Sequence, residues 1–142
     1  MAKSKSLPII AVGAGKLPAT LSPMAAKWAA AQGFTGQRGR LLPLPGEDGG
    51  LAGHLFGLGD AATRPALIFG LAAAVLEPGR YHLAGDFGDP TLAALGFRLG
   101  AYRFDRYRKS SDPVLLDAVP GADAAEVARL SDAAFLARDL IN

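Results

Sequence analysis

The sequence contains no cysteine, only two histidines and no long hydrophobic run. Without cysteine the chain has no disulfide, no thiolate metal site and no cysteine nucleophile, and it fits a reducing compartment. Two histidines are too few for an imidazole-rich metal site. The most apolar stretch, residues 65–76, is shorter than the roughly 20 residues that cross a bilayer, so we expect it in a core. The apolar stretch at 7–12 is likewise too short for a signal peptide.

The charges are few and nearly balanced. The 142 residues carry 15 basic and 13 acidic side chains, a formal net charge of +2, which is weak support for nucleic-acid binding. Hydrophobic residues make up 50% of the chain, which excludes global disorder. The length suits one domain with a substantial core. No repeat or linker divides the sequence, so we predict a single domain over residues 1–142.

The first half of the chain alternates between strand and helix patterns. Residues 7–12 predict a strand buried on both faces. Ser22 followed by Pro23 predicts the start of a helix, in which Met24, Trp28 and Ala31 recur at helical spacing and which Gly33 ends. Residues 40–44 and 51–58 predict the two strands of a hairpin, because turn-forming residues separate them.

The second half continues the alternation. Thr63 and Pro65 predict a buried helix over 65–76, and a short strand follows at 81–84. Asp89 before Pro90 predicts the next helix. The last strand is expected at 113–119. Asp123 with Glu126 three residues later forms a capping box for the last helix.

This order, β-α-β-β-α-β-α-β-α, predicts an α/β fold: a three-layer sandwich around a central mixed sheet. The last predicted helix continues to Asn142 without the glycine, proline or polar tail that usually ends a helix. We therefore expect the natural protein to continue beyond this residue.

Two glycine-rich segments could bind phosphate. Gly13-Ala14-Gly15-Lys16 departs from both phosphate-binding patterns, since Leu17 and Pro18 occupy positions that those patterns reserve for other residues. A tight strand exit is the better interpretation. Gly57-Leu58-Gly59-Asp60-Ala61-Ala62 fits a loose dinucleotide fingerprint. However, Asp60 would place a negative charge beside a pyrophosphate, and the preceding strand belongs to a hairpin.

Other candidate groups are isolated. Residues 102–109 interleave bases with aromatics, which suits either phosphate and base contacts or the cationic C-terminus of a helix; the latter is favoured. Asp86 follows a strand, where α/β folds place ligand loops. His54 and His82 lie in strands without partners at metal-binding spacing. The spacing of Gly96 and Gly100 predicts close packing of a helix on the sheet. These groups do not form an active site.

Two segments resemble the leucyl (cytosol) aminopeptidase family. Gly96-Phe97-Arg98-Leu99-Gly100-Ala101-Tyr102-Arg103-Phe104-Asp105-Arg106-Tyr107 is similar to its Gly-x-x-Leu-Gly-x-Tyr-x-Phe-x-x-Tyr segment. Ala137-Arg138-Asp139-Leu140-Ile141-Asn142 resembles the helix that joins the N-terminal domain of the family to its catalytic domain. Gly57-Leu58-Gly59 is similar to the strand before the first long apolar helix of the family. Residues 1–50 resemble the family only loosely.

The resemblance implies a fold and a role. Family members are two-metal aminopeptidases that remove N-terminal residues, often leucine, from peptides in the cytoplasm. Two zinc or manganese ions activate water and polarise the carbonyl, held by lysine and carboxylate ligands in the C-terminal domain. None of those motifs occurs in this sequence, so no catalytic, cofactor-binding or metal-binding residue is assigned to it. The family's N-terminal domain is macro-domain-like and helps to shape a hexamer.

Three functions follow as hypotheses. The first is a structural and assembly domain, itself inactive, in which residues 123–142 lead to the catalytic domain of the parent enzyme. The second is a macro-like module that binds ADP-ribose or a nucleotide at the loops around residues 57–59 and 85–86. The third is nucleic-acid contact through residues 103–109, which we rank last because Asp105 and Asp112 dilute the positive charge. We expect no membrane partner.

Overall fold

The computed structural model describes residues 6–15, 17, 21–46, 49–105 and 114–141, with side chains except at 102–105 and 135–141. Nine main elements follow one another in the predicted order. They are β1 (Leu7–Gly13), α1 (Pro23–Ala31), β2 (Leu41–Pro45), β3 (Leu51–Gly59), α2 (Phe69–Val75), β4 (Gly79–Gly85), α3 (Pro90–Asp105), β5 (Val114–Leu116) and α4 (Ala124–Ile141). The predicted α/β class is confirmed.

The five strands form one mixed sheet in the order β2-β3-β1-β4-β5. The central strand β1 is parallel to β3 and β4, and β5 is parallel to β4. The edge strand β2 pairs antiparallel with β3, which confirms the hairpin. Because β3 and β4 lie on opposite sides of β1, the chain reverses its direction across the sheet at β1. Such switch points leave a crevice at the carboxyl ends of the strands.

The two faces of the sheet bury different clusters. The larger cluster joins the sheet to α2, α3 and α4, and in it the rings of Phe56 and Phe69 lie 5.3 Å apart. The smaller cluster lies under α1, which contributes Ala29. Met24 and Trp28, which recur at helical spacing, lie on the exposed side of α1, where their side chains are 45% and 37% exposed. Small alanines face the sheet because α1 lies close to it.

Side-chain caps begin three of the helices as predicted. Ser22 Oγ accepts a hydrogen bond from the Ala25 amide at 3.2 Å. Asp89 Oδ1 accepts from the amides of Thr91 and Leu92 at 2.9 and 3.1 Å. These caps satisfy amides that have no partner inside the helix.

The capping box of α4 is only half formed. Asp123 Oδ1 accepts from the Glu126 amide at 3.0 Å. The reciprocal bond is replaced, because the Asp123 amide donates to Thr91 Oγ1 at 3.0 Å. The Glu126 carboxylate instead pairs with Arg129 at 2.6 Å. The start of α4 is therefore tied to the start of α3.

Three boundaries differ from the prediction. Thr63 does not cap a helix: it ends a short 3₁₀ turn, Ala61–Thr63, which Asp60 caps. Helix α2 begins at Phe69 and not at Pro65, and no side chain caps it. Strand β5 covers only Val114–Leu116, although the Asp117 amide still donates to the Tyr81 carbonyl at 2.8 Å. Pro113 lies outside the described residues.

Gly96 and Gly100 pack on a helix and not on the sheet. A Cβ atom on Gly96 would lie 3.0 Å from the Leu67 carbonyl oxygen. A Cβ atom on Gly100 would lie 2.4 Å from the carbonyl oxygen of Gly70 in α2. The prediction of close packing is right, but its partner is α2 with the turn before it, because two helix backbones come into direct contact only where neither carries a side chain.

Candidate functional site

The strand-end crevice is a cavity of about 410 Å³ at the carboxyl ends of β1 and β4. It lies at the switch point of the sheet, where α/β folds bind ligands. Its lining comes from the two strand ends, the loop after β1 and the segment before α2. The lining residues are Ala11, Val12, Gly13, Ala14, Leu17, Arg64, Gly85 and Asp86.

Backbone conformation keeps the crevice open on the β4 side. Gly85 pairs with Ala11 and has a φ of +79°, which favours glycine. A Cβ atom on Gly85 would also lie 2.9 Å from the Ala11 carbonyl oxygen. The chain turns away from the sheet at this residue, so Asp86 lies at the edge of the crevice.

Arg64 forms the opposite, positive side. Its Nη2 atom donates to the Gly59 carbonyl at 3.3 Å and lies 3.8 Å from the position that a Cβ of Gly13 would occupy. Its Nε atom is buried and has no hydrogen-bond partner among the residues that the structure describes. The guanidinium group is therefore held across the end of β1, because one of its edges is enclosed by protein.

The crevice carries two opposite charges that do not neutralise each other. Asp86 is exposed and forms no hydrogen bond or ion pair with the residues that the structure describes. Arg64 and Asp86 line the same cavity but are not ion-paired with each other. This arrangement can hold a small ligand with an anionic and a cationic end. Within the described ranges, no group of three histidine, cysteine or carboxylate residues could hold a metal ion.

The loop at residues 13–15 is a strand exit, as predicted. The Ala14 amide donates to the Gly59 carbonyl at 3.2 Å, and the Gly15 amide donates to the Thr35 carbonyl at 2.7 Å. Gly15 has a φ of +81°, so the turn favours glycine here. These two amides already have backbone partners. Lys16 lies outside the described residues.

The second glycine segment serves packing against the loop at 36–40. The Gly57 amide donates to the Arg40 carbonyl at 2.8 Å, and the Gly59 amide donates to the Gly36 carbonyl at 2.9 Å. A Cβ atom on Gly57 would lie only 1.8 Å from the Gln37 carbonyl oxygen. Because these amides are engaged, they do not face a free pyrophosphate site.

The two histidines lie on different strands and opposite faces of the sheet. His54 is buried, its ring centroid is 5.7 Å from that of Tyr81, and its Nδ1 atom has no hydrogen-bond partner in the described part of the chain. Burial lowers the pKa of His54. The Nδ1 atom of His82 lies 2.8 Å from the Ser6 hydroxyl. The structure therefore does not bring the histidines together.

The Ser6 side of the sheet carries an exposed ion pair. Arg80 donates from Nε and Nη2 to Asp117 Oδ1, at 3.0 and 2.9 Å. The Ser6 hydroxyl and Arg80 lower the pKa of Asp117. The pair joins β4 to the end of β5, so its role is structural.

Sequence reasoning identified Asp86 as a candidate but missed Arg64. Arg64 lies between Thr63 and Pro65, which both predict a helix start. A single arginine forms no sequence motif that would indicate a binding site. Its place over β1 follows from the crossover between β3 and β4. Side chains 102–105 and residues 106–109, the proposed nucleic-acid contact, lie outside what the structure describes.

The exposed side of α2, together with the turn before it, is apolar. Leu67, Leu71 and Val75, spaced four residues apart, are 41%, 49% and 63% exposed. We call these three side chains the α2 stripe. Contiguous exposed apolar side chains are typical of contact surfaces. In the part of the chain that the structure describes, no helix is long and apolar enough to span a bilayer.

Comparison with known proteins identifies relatives of the chain. The chain is 34% identical over 130 residues to a probable cytosol aminopeptidase of Leifsonia xyli, covering 80% of this chain and 26% of that protein. The crystal structure of a cytosol aminopeptidase from Coxiella burnetii superposes with a TM-score of 0.61 at 30% identity, covering 82% of this chain and 27% of that one. The chain thus spans about a quarter of the length of these relatives.

A further structure shares the fold over nearly the whole chain. The bottromycin maturation enzyme BotP, solved in complex with Mn, superposes with a TM-score of 0.69 at 24% identity and covers 96% of this chain and 32% of its own. The sequence profile described as M17 aminopeptidase, N-terminal domain, matches residues 7–120. This match covers most of the chain and the strands that build the crevice. The chain belongs to the M17 aminopeptidase N-terminal domain family.

Proposed function

We propose that this domain is the non-catalytic N-terminal part of a metal-dependent leucyl aminopeptidase that releases N-terminal amino acids from peptides. The observation that carries the proposal is the family match over residues 7–120, combined with a chain that covers 26% of a full-length relative. The crevice offers one guanidinium and one carboxylate, but no set of clustered carboxylates for two metal ions. The proposal therefore assigns the peptide-cleaving site to a domain that follows this one in the parent enzyme.

The proposal extends to the metals and the compartment of the parent. Two divalent ions, zinc or manganese, would be held by the C-terminal catalytic domain. That domain and the peptide substrates would be the main partners of the parent protein. The relatives named cytosol aminopeptidases support a cytoplasmic location.

Activity measurements test this proposal directly. The 142-residue chain, supplied with manganese or zinc, is expected not to hydrolyse a leucyl chromogenic substrate. The same chain joined to the sequence encoded downstream is expected to hydrolyse it in a metal-dependent manner. Turnover by the purified 142-residue chain that a chelator abolishes would overturn the proposal, as would a stop codon directly after Asn142.

We also propose that the parent is a hexamer and that the α2 stripe is one of its subunit contacts. The exposure of Leu71 and Val75 supports this, because burying apolar side chains of this size in a subunit contact stabilises the assembly. The double variant Leu71→Ser and Val75→Ser should leave the isolated domain folded. It should shift the parent to smaller species in sedimentation.

The matched control for this experiment is Leu115→Ser. Leu115 is 49% exposed, as Leu71 is, but it lies on β5, away from α2. The control should leave the size of the parent unchanged. An unchanged size of the stripe variant would contradict the proposed contact.

A further inference from the structure

We propose that the strand-end crevice binds a free α-amino acid with an apolar side chain. In this arrangement Arg64 receives the carboxylate and Asp86 receives the ammonium group. Three features support this assignment: neither charge is ion-paired with a residue that the structure describes, Leu17 adds an apolar side chain, and the cavity is small.

The positive end is built for one anionic group. The buried Nε atom and the bond from Nη2 to the Gly59 carbonyl hold the guanidinium in place. The bond to Gly59 is long at 3.3 Å, and Nη1 has no partner among the described residues. The two terminal nitrogens can therefore donate side by side to a carboxylate, the geometry in which arginine binds this group best.

The negative end has no structural role among the residues that the structure describes. Asp89, three residues later, caps α3 through two amides, whereas Asp86 contacts no described donor. The conformation of Gly85, with its φ of +79°, sets the position of Asp86 at the edge of the crevice. A carboxylate in this position can accept hydrogen bonds from an ammonium group.

Part of the lining of the crevice is apolar. Leu17, 36% exposed, lies on one side of the crevice, and Ala11 and Val12 line its base at the end of β1, with their side chains buried on opposite faces of the sheet. An aliphatic side chain of the ligand would cover Leu17 and be removed from water. The side chains of Arg64, Asp86 and Leu17 thus match the three parts of an apolar amino acid.

Size and charge disfavour a dinucleotide-like ligand. The volume of about 410 Å³ lies near the lower end of the range for small-molecule pockets. Arg64 is the one basic side chain in the described lining, and Asp86 would repel a pyrophosphate. If the proposed function also holds, the ligand is of the same class as the amino acid that the parent enzyme releases.

Titration calorimetry of the 142-residue chain with L-leucine tests the proposal. We expect saturable binding with a dissociation constant of about 1 mM. Leucinamide, which lacks the carboxylate, and 4-methylpentanoate, which lacks the ammonium group, should each bind roughly tenfold more weakly. Equal binding of all three compounds, or no leucine binding, would overturn the proposal. Tighter binding of ADP-ribose or AMP than of leucine would overturn it in favour of a nucleotide site.

Variants locate the binding site. Arg64→Gln and Asp86→Asn should each weaken leucine binding roughly tenfold. Asp89→Asn is the matched control, because it changes a neighbouring carboxylate outside the crevice and should leave binding unchanged. If Arg64→Gln does not fold, Asp86→Asn and the two leucine analogues still decide the question. Unchanged binding by Asp86→Asn would show that leucine binds elsewhere. These readouts do not depend on peptidase activity, so the binding proposal can fail independently of the proposed function.

Discussion

Gly100 of α3 and Gly70 of α2 pack backbone against backbone, so that a Cβ atom on Gly100 would lie 2.5 Å from the Cα atom of Gly70. This contact brings α2 close to α3 and places Phe69 and Ala72 in the main core. Helix α2 has only seven residues and no side-chain cap. Its stability therefore depends on packing, since isolated helices of this length do not form in water.

Substitution of Gly100 by alanine should destabilise the domain. In an exposed helix this change would stabilise the protein by about 1 kcal/mol, because alanine has the higher helix propensity. Here the new Cβ atom would meet backbone atoms that cannot move aside, and overpacking should lower the free energy of unfolding by about 2 kcal/mol. Urea unfolding measures the difference.

The matched comparison for Gly100→Ala is Gly96→Ala on the same helix. A Cβ atom there would meet the Leu67 carbonyl oxygen at 3.0 Å, a milder contact. We expect a smaller loss of stability. A stability of Gly100→Ala equal to or above that of the unchanged protein would refute the packing argument.

Replacement of Asp89 by alanine should weaken the start of α3. The Asp89 carboxylate accepts from two helix amides, and loss of such a cap costs about 1 kcal/mol. Asp86→Ala is the control, since this carboxylate has no described partner and should change stability by less than about 0.5 kcal/mol. Thermal unfolding of both variants in parallel would show the difference. Equal effects would mean that Asp89 does not act as a cap.

Arg40 should be sensitive even to a conservative change. Its Nη1 and Nη2 atoms donate to the carbonyls of Gly33 and Gln32, at 3.0 and 2.6 Å, just after α1. Lysine keeps the charge but cannot form this pair of bonds, so Arg40→Lys should lose about 1 kcal/mol of stability.

Arg38→Lys provides the comparison for Arg40→Lys. Arg38 makes one described bond, from Nη1 to the Thr63 carbonyl at 3.2 Å. Its replacement should have the smaller effect in denaturant titrations. The reverse ranking would contradict the role assigned to Arg40.

His54 should make the stability of the domain decrease in mild acid. Burial lowers its pKa in the folded protein below the ordinary value of 6.5. As the pH falls below 6.5, the unfolded chain takes up a proton that the folded state resists. Folding stability is then lost until the pH reaches the lowered pKa.

His54→Leu removes this titrating group while it keeps a buried side chain of similar size. The urea midpoint of the unchanged protein should be lower at about pH 5.5 than at about pH 7.5, and the difference should be smaller for the variant. Circular dichroism would first confirm that the variant folds. The same decrease in both proteins would assign the pH dependence to other groups.

Local sequence signals predicted most elements because their causes are local. Ser22 and Asp89 mark helix starts through bonds to amides two or three residues away, and the turn residues at 45–50 placed the hairpin correctly. The predicted start of α2 was wrong because residues 65–76 are apolar throughout and offer no periodicity to locate the first turn. In the same way, the spacing of Gly96 and Gly100 indicated close packing but not its partner.

The amino-acid sequence alone was sufficient to predict the α/β class, the order of the elements and the resemblance to leucyl aminopeptidases. These features depend on residue type and on spacing along the sequence. The sequence was not sufficient to place Arg64 opposite Asp86 across the end of β1, since 22 positions separate them in the sequence. Their positions on the two sides of β1 arise from the parallel crossover, which puts β3 and β4 on opposite sides of β1. Long-range strand order has no local signal, so the crevice becomes visible only in the folded chain.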